Sequence, residues 1–414
     1  ISTYTKNLQR QIDDELDRLH PNPDIKARHV VIRKGRENYL CLLNMEEAVD
    51  RSSTRPASAI GLGILARWAA KTRSGDIAGG DFPTWLPSLV GFRDTLGLAD
   101  RRGECIYSAC SHYNKCFIER TVRQARRADI VVANHALVIT QAALGGLDDG
   151  NVPTRIVFDE GHHLFGAADN AFSAHLTARE TAELRRWLLG AEAGSRTRSR
   201  GLRERIKDLI VGDEKTTKLL DEVLKAAQVL PTAGWGARLG TGDTVGLSES
   251  FFALVRIQVY ARDANEPFGY SLETETLPSI NGLKEEALRL EAALSRLKKP
   301  LGQLIGALEK ILSNDAESLD SQTRKRIETV CRSLDRRGRQ PIDAWRQMLK
   351  DLNANTPEGL VDWFSVERID GHDLDIGLHR HWIDPTKPFA ETVIKPAHGV
   401  IITSATLRDA TGNL

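Results

Sequence analysis

Four short stretches of the chain share one pattern: an apolar, β-branched centre with polar residues directly after it. His29–Arg33 (HVVIR) runs into Lys34-Gly35-Arg36, and Asp129–Ala133 (DIVVA) into Asn134-His135. Arg155–Phe158 (RIVF) runs into Asp159-Glu160, and Val400–Ile402 (VII) into Thr403-Ser404-Ala405-Thr406. Short continuous apolar runs predict strands buried on both faces of a parallel sheet. The polar residues then fall at the carboxyl ends of the strands, where α/β sheets hold ligands. The first residues read as the end of a further strand.

More than 200 residues of different character separate the third run from the fourth. Ala178–Leu189 and Leu202–Ile210 carry helical patterns. Leu283, Ala287, Leu290, Leu294, Leu297, Leu301, Leu304, Leu308 and Ile311 advance in alternating steps of four and three, a heptad seam. Pro300 lies within that seam and predicts a kink or a split. Leu319–Leu334 is a second helical stretch that could fold back on the first. Thr232–Gly246 is glycine-rich and reads as loop. The pattern is a mainly helical insertion inside an α/β domain.

Composition adds limits. With 41% hydrophobic and 27% charged residues the chain fits a globular class, and 414 residues suffice for two or three domains. The formal net charge of +1 means that any nucleic-acid surface must be a local patch. No apolar run has the length of a membrane span, and no signal-peptide pattern opens the sequence. The first residue is Ile1, so the chain reads as a piece of a longer protein. Five cysteines are too sparse for a secreted disulfide framework and fit an intracellular metal-binding protein better.

Three of those cysteines, Cys105, Cys110 and Cys116, fall at C-x4-C-x5-C. Cys41, just after the first strand, is the natural fourth ligand. Cys331 lies in a helical pattern and reads as a half-buried helix residue. Four thiolates suit zinc or an iron–sulfur cluster. Zinc knuckles favour tighter spacing, and wider loops suit a cluster. Around these cysteines stand Arg101, Arg102, Lys115, Arg120, Arg123, Arg126 and Arg127, interleaved with Tyr107, Tyr113 and Phe117. Cations meet phosphates and rings stack on bases, so the stretch resembles a single-strand contact surface.

VFDEGHHLF places Asp159 and Glu160 at the end of a buried strand, the position of the Mg²⁺ carboxylate and the water-orienting glutamate in nucleoside triphosphatases. A zinc-dependent hydrolase using Asp159, His162 and His163 is the competing chemistry. Adjacent histidines on a helix face different ways, which counts against it.

Several segments together resemble the DinG/XPD group of iron–sulfur superfamily 2 DNA helicases, nearer to its bacterial DinG branch. ISTYTKNLQRQI resembles motif Ia, a DNA-backbone contact that includes Thr5 and Gln9. KGRENYLC and the C-x4-C-x5-C run resemble the cluster cysteines, ADIVVANHALV the stretch before motif II, DEGH the DEAH box, and ITSATL motif III. The resemblance implies a [4Fe–4S] cluster on Cys41, Cys105, Cys110 and Cys116, with Mg²⁺ on Asp159, Glu160 as catalytic base and His162 linking the γ-phosphate site to motif III. It implies that Thr403, Ser404, Ala405 and Thr406 couple hydrolysis to DNA movement; with the basic and aromatic stretch above, Arg36, Tyr113, Arg123 and Arg126 are expected to join Thr5 and Gln9 on DNA.

The implied fold is α/β: an incomplete RecA-like parallel-sheet motor domain with an inserted cluster domain and a mainly helical arch. The expected boundaries are motor 1–35, cluster domain 36–120, motor 121–175 with the DEGH box, arch 176–395 and motor 396–414. The implied activity is ATP-dependent, 5′ to 3′ translocation on single-stranded DNA, with forked or flapped DNA as substrate, in repair or replication. The implied location is the bacterial cytoplasm, at the nucleoid. Gly161 departs from the usual alanine of the DEAH box. No G-x-x-x-x-G-K-[ST] occurs, so half an ATP site and no hydrolysis by these 414 residues alone are expected. A non-catalytic iron–sulfur DNA-binding module is the other reading.

Overall fold

The computed structural model describes residues 1–54, 56–83, 85–90, 97–100, 103–145, 154–192, 199–262, 269–314 and 319–405. Among them the strands are β1 (Ser2–Thr3), β2 (Val30–Ile32), β3 (Ile130–Asn134), β4 (Arg155–Phe158), β5 (Ala174–Thr177), β6 (Leu272–Glu275), β7 (Leu360–Ile369), β8 (His372–Trp382) and β9 (Gly399–Ile402). The chain divides into two compact units, one of Ile1–Ala171 with the segment from Thr386, the other Phe172–Pro385.

The first unit is built on a five-stranded sheet in the order β2-β3-β1-β4-β9, with parallel pairing throughout. All four apolar runs become its strands, and the chain opens on the strand β1. Val132 and Phe158 are fully buried, as strands covered on both faces require, whereas the edge strand β9 exposes Ile401 and Ile402, contrary to the two-sided burial expected of it. The connection from β1 to β2 carries a helix at Lys6–Leu19, capped by Thr5, whose Oγ1 accepts from the Leu8 N–H at 3.2 Å. A separate small core packs Tyr39, Leu40, Met45, Leu65, Phe117 and Ile118, all in the cysteine-bearing stretch.

The second unit is less purely helical than the sequence suggests. It contains a four-stranded antiparallel sheet, β5-β8-β7-β6. One face of this sheet, with Phe364, Val366, Ile376 and Leu378, is buried against helices. Its period-2 pattern is masked by Arg380, which stands at an inward position of β8. Arg380 is neutralised there by Asp362, at 2.7 and 2.6 Å, and by Asp351 at 2.8 Å. A charge at a core position reads as a solvent position until its partners are known.

Ala178–Leu189 is a helix at the expected bounds, started by Thr177, whose Oγ1 accepts from the Glu180 N–H. Leu202–Ile206 is helical and tightens into a 3₁₀ turn at Lys207–Leu209. The glycine-rich loop holds one short helix, Trp235–Arg238. The heptad seam forms one continuous helix, Leu283–Asn314, which runs through the buried Pro300 without splitting. Ser321–Leu334 packs back against it. Leu290, Leu294, Leu297, Leu301, Leu304 and Leu308 are fully buried. Leu297→Ala leaves a cavity in that seam and is expected to cost about 2–5 kcal/mol, read from denaturant midpoints. A loss below about 1 kcal/mol would mean that the seam collapses around the gap.

Candidate active site and cysteine layer

The carboxyl ends of β1, β4 and β9 are stitched together by main-chain hydrogen bonds. Asp159 N–H donates to the Ser2 carbonyl, Thr403 N–H to that of Phe158, and Gly161 N–H to that of Thr403, each at 2.8 Å. This puts the Asp159 carboxylate between two hydroxyls. Thr3 Oγ1 lies 3.4 Å from Oδ2, and Thr403 Oγ1 lies 3.4 Å from Oδ1. Both are long hydrogen bonds, and they fix the plane of the carboxylate rather than bury it.

Glu160 follows in the left-handed region, at φ 57° and ψ 51°. A non-glycine residue held there costs about 1–2 kcal/mol, and such strain gathers at sites where a side chain must be aimed. The chain then enters a 3₁₀ turn at Gly161–His163. His162 Nδ1 lies 2.8 Å from Ser404 Oγ and 3.3 Å from Glu160 Oε2, so it bridges the acidic turn to the segment after β9. Ala405 follows Ser404; Thr406 lies outside the described residues.

The His163 ring stacks on Tyr4 with centroids 3.7 Å apart and 14° between planes. With His162 engaged by Ser404 and Glu160, the zinc hydrolase gains no support. Among the described residues, no group of three or more His, Cys, Asp or Glu side chains is set to hold a metal ion.

Two further residues stand here without a motif to mark them. Tyr4 is one, 47% exposed beneath His163. The other is His135, which is buried with Nδ1 2.8 Å from Ser2 Oγ. Burial pushes its imidazole down to about 4, against the opposing pull of the Glu160 and Asp159 main chain. It is therefore neutral near pH 7. Its signal was positional: a histidine one residue past a buried strand, where the sheet gathers its site.

The cysteines occupy a small layer of the same unit. Cys41 precedes the helix Leu42–Asp50 and Cys116 the helix Phe117–Ala125, so each stands at a helix N-terminus. Cys110 closes the turn Tyr107–Ala109, and Cys105 Sγ accepts from the Tyr107 N–H at 3.3 Å. All four are half-buried, and none is in a disulfide. Burial pushes the Cys105 and Cys116 thiols up, while Arg36 pulls both the other way. His112 Nε2, 2.9 Å from Glu46, ties the Cys110–Cys116 loop to the helix after Cys41. The residue types suit thiolate ligation, and Cys41 and Cys116 stand at helix ends, but the four side chains are not gathered into a group set to hold a metal ion. Cys331 is buried in the helix Ser321–Leu334, deeper than the half-buried position expected.

The expected DNA contacts fall into three settings. Thr5 and Gln9 share the helix after β1, with Thr5 occupied as its cap and Gln9 buried, its Oε1 lacking a hydrogen-bond partner. Tyr113 and Arg123 come together, the guanidinium 5.6 Å from the ring centroid, and Arg126 is exposed at the end of that helix. Arg36 is turned inward. It pairs with Asp100 at 2.8 Å and Glu119 at 3.4 Å and covers the Tyr107 ring, which leaves it little reach toward a phosphate. Arg101 and Arg102 lie outside the described residues.

A parallel sheet whose carboxyl edge gathers an acidic pair, two threonine hydroxyls and a histidine has the layout of nucleotide-handling α/β proteins. Known relatives narrow this class. The chain is 28% identical over 194 residues to the ATP-dependent DNA helicase YoaA of Haemophilus influenzae, covering 44% of this chain and 29% of that protein. It is 31% identical over 202 residues to the ATP-dependent helicase DinG of Mycobacterium tuberculosis, 43% of this chain and 29% of the relative. It is 24% identical over 422 residues to the 3'-5' exonuclease DinG of Bacillus subtilis, 98% of this chain and 40% of the relative. The chain thus spans less than half the length of these relatives. No protein-family model matches it. Together the relatives support a DinG-like helicase family for this chain.

Proposed function

We propose that this chain is the nucleotide- and strand-handling part of an ATP-dependent DNA helicase that moves 5′ to 3′ on single-stranded DNA and opens forked or flapped substrates in repair or replication. The observation that carries the reading is the strained acidic turn at the sheet's carboxyl edge. A protein that only bound DNA would have no use for an acidic pair whose second member, Glu160, is held in the left-handed region.

In this reading Asp159, steadied by Thr3 and Thr403, would hold the Mg²⁺ of bound ATP, which would supply charge neutralisation on the phosphates. Glu160 takes the proton of the attacking water. His162 senses Glu160 through one contact and passes its state to Ser404, so Thr403, Ser404 and Ala405 couple the nucleotide to the motor. Tyr4, stacked on His163, ties the start of the helix after β1 to the same turn. Neutral His135 braces Ser2 beneath it without adding charge next to the phosphates. Cys41, Cys105, Cys110 and Cys116 would hold a [4Fe–4S] cluster. Its contribution is a covalent staple for the stretch 36–120, since the binding free energy of such a centre is folding free energy. The stretch 176–395 would serve as the arch. Among the described residues no helix is long and apolar enough to cross a membrane.

One relative, matched over 40% of its length, is named a 3'-5' exonuclease; the proposal follows the helicase names of the others, matched over 29% of theirs, because the acidic turn is linked through His162 to Ser404. The strand contact is testable on the chain itself. Arg123→Ala and Arg126→Ala are each expected to weaken single-strand binding and to flatten the slope of log K against log salt by about 0.7 per lost phosphate contact. Affinity and slope unchanged in both would make the helix Phe117–Ala125 a solvated face.

A further inference from the structure

On the outer face of the antiparallel sheet in the second unit, β5 and β8 bring histidines together. His175 pairs in register with His379, and His381 lies two residues further along the same face. His175 Nε2 and His381 Nε2 are 3.0 Å apart. Two nitrogens at that separation, each about 2.1 Å from a common ion, subtend about 90° at it. Tetrahedral zinc wants its ligand nitrogens about 3.3–3.4 Å apart, whereas 90° is the cis angle of octahedral or tetragonal N,O sites.

From this geometry we infer that His175 and His381 form a chelating site for an octahedral or tetragonal divalent transition ion of the Ni²⁺ or Cu²⁺ class. Two side groups flank the pair. Glu180 Oε1 lies 3.8 Å from His175 Nδ1, behind the ring, within ion-pair but outside hydrogen-bond range. Trp363 packs against His381 with centroids 4.8 Å apart and braces its ring. His379 is not a ligand: its Nε2 lies 2.7 Å from Ser365 Oγ and its ring stacks on Trp363. Water completes the shell. In the metal-free protein the 3.0 Å separation is that of an N–H···N hydrogen bond between the two imidazoles, and on metal binding both rings turn so that their Nε2 lone pairs meet at the ion.

Ni²⁺ titrated into the full chain should quench Trp363 fluorescence saturably, and Trp363→Phe should remove that component. His175→Gln and His381→Gln should each weaken the Ni²⁺ affinity by at least about tenfold, since even outer-shell changes cost 10–100-fold. His379→Gln should keep the affinity. Nickel held by the cysteines contributes equally in all of these chains and cancels. Quenching that survives both ligand variants, or that falls equally in His379→Gln, would overturn the site, as would its absence from the wild type. Should a variant fail to fold, carbethoxylation of the wild type decides: Ni²⁺ should protect His175 and His381 and leave the exposed His372 reactive. Equal modification of all three would refute the chelate.

Discussion

Glu160→Gln is expected to reduce DNA-stimulated ATP hydrolysis by about 10²–10⁴-fold, the usual contribution of a positioned general base. ATP and DNA binding should be largely kept. Glutamine matches glutamate in size, so it can occupy the same left-handed position and still meet His162, 3.3 Å from the Glu160 carboxylate. What it loses is the ability to take a proton. Asp159 is untouched, with Thr3 and Thr403 still 3.4 Å from its two oxygens, so the metal-holding carboxylate is retained. The measurement is phosphate release in the protein that carries this sequence, with a saturating single strand. A normal rate in Glu160→Gln would remove the base from this turn, and the non-catalytic DNA-binding reading would then take first place.

Anaerobically purified protein is expected to be brown, with about four irons per chain and a broad absorbance near 400 nm from thiolate-to-iron charge transfer. Serine at any of Cys41, Cys105, Cys110 or Cys116 should bleach it and loosen the layer around Tyr39, Leu40 and Phe117, because the staple and the small core stabilise the same stretch. Cys331→Ser lies in the other unit and should leave the colour unchanged. Burial raises the Cys105 and Cys116 thiols, so without a cation both stay protonated near neutral pH. Iron binding would displace those protons. Stoichiometric zinc without iron after anaerobic work would contradict the cluster.

The parallel sheet was legible because its strands are short continuous apolar runs, although the edge strand β9 leaves Ile401 and Ile402 exposed rather than buried. HVVIR, DIVVA, RIVF and VII carry no alternation to misread, and their carboxyl ends announced Asp159, Glu160, Thr403 and Ser404 directly. The antiparallel sheet of the second unit was not legible, for the opposite reason. Its inner face includes Arg380, whose charge is balanced by Asp351 and Asp362 from elsewhere in the chain, and its outer face carries histidines and a tryptophan. Neither face is cleanly apolar or polar. Pro300 misled in another way. Its missing N–H and its ring argue for a break, but the leucines on both sides of it are buried in one seam, and that packing keeps the helix continuous. His135 and Tyr4 act through single contacts, with Ser2 and His163, that only the folded sheet creates. Arg36 was expected to contact DNA. Asp100 and Glu119, distant in sequence, are what turn it inward.

The most direct measurement is ATP turnover by the protein that carries this sequence, with and without single-stranded DNA at fixed Mg²⁺. A motor whose acidic turn is wired through His162 to Ser404 should hydrolyse slowly alone and much faster on DNA, and the stimulation should vanish in Ser404→Ala before basal turnover does. A rate indifferent to DNA, in a protein that binds both ligands, would contradict the assignment of this site to a DNA-driven motor.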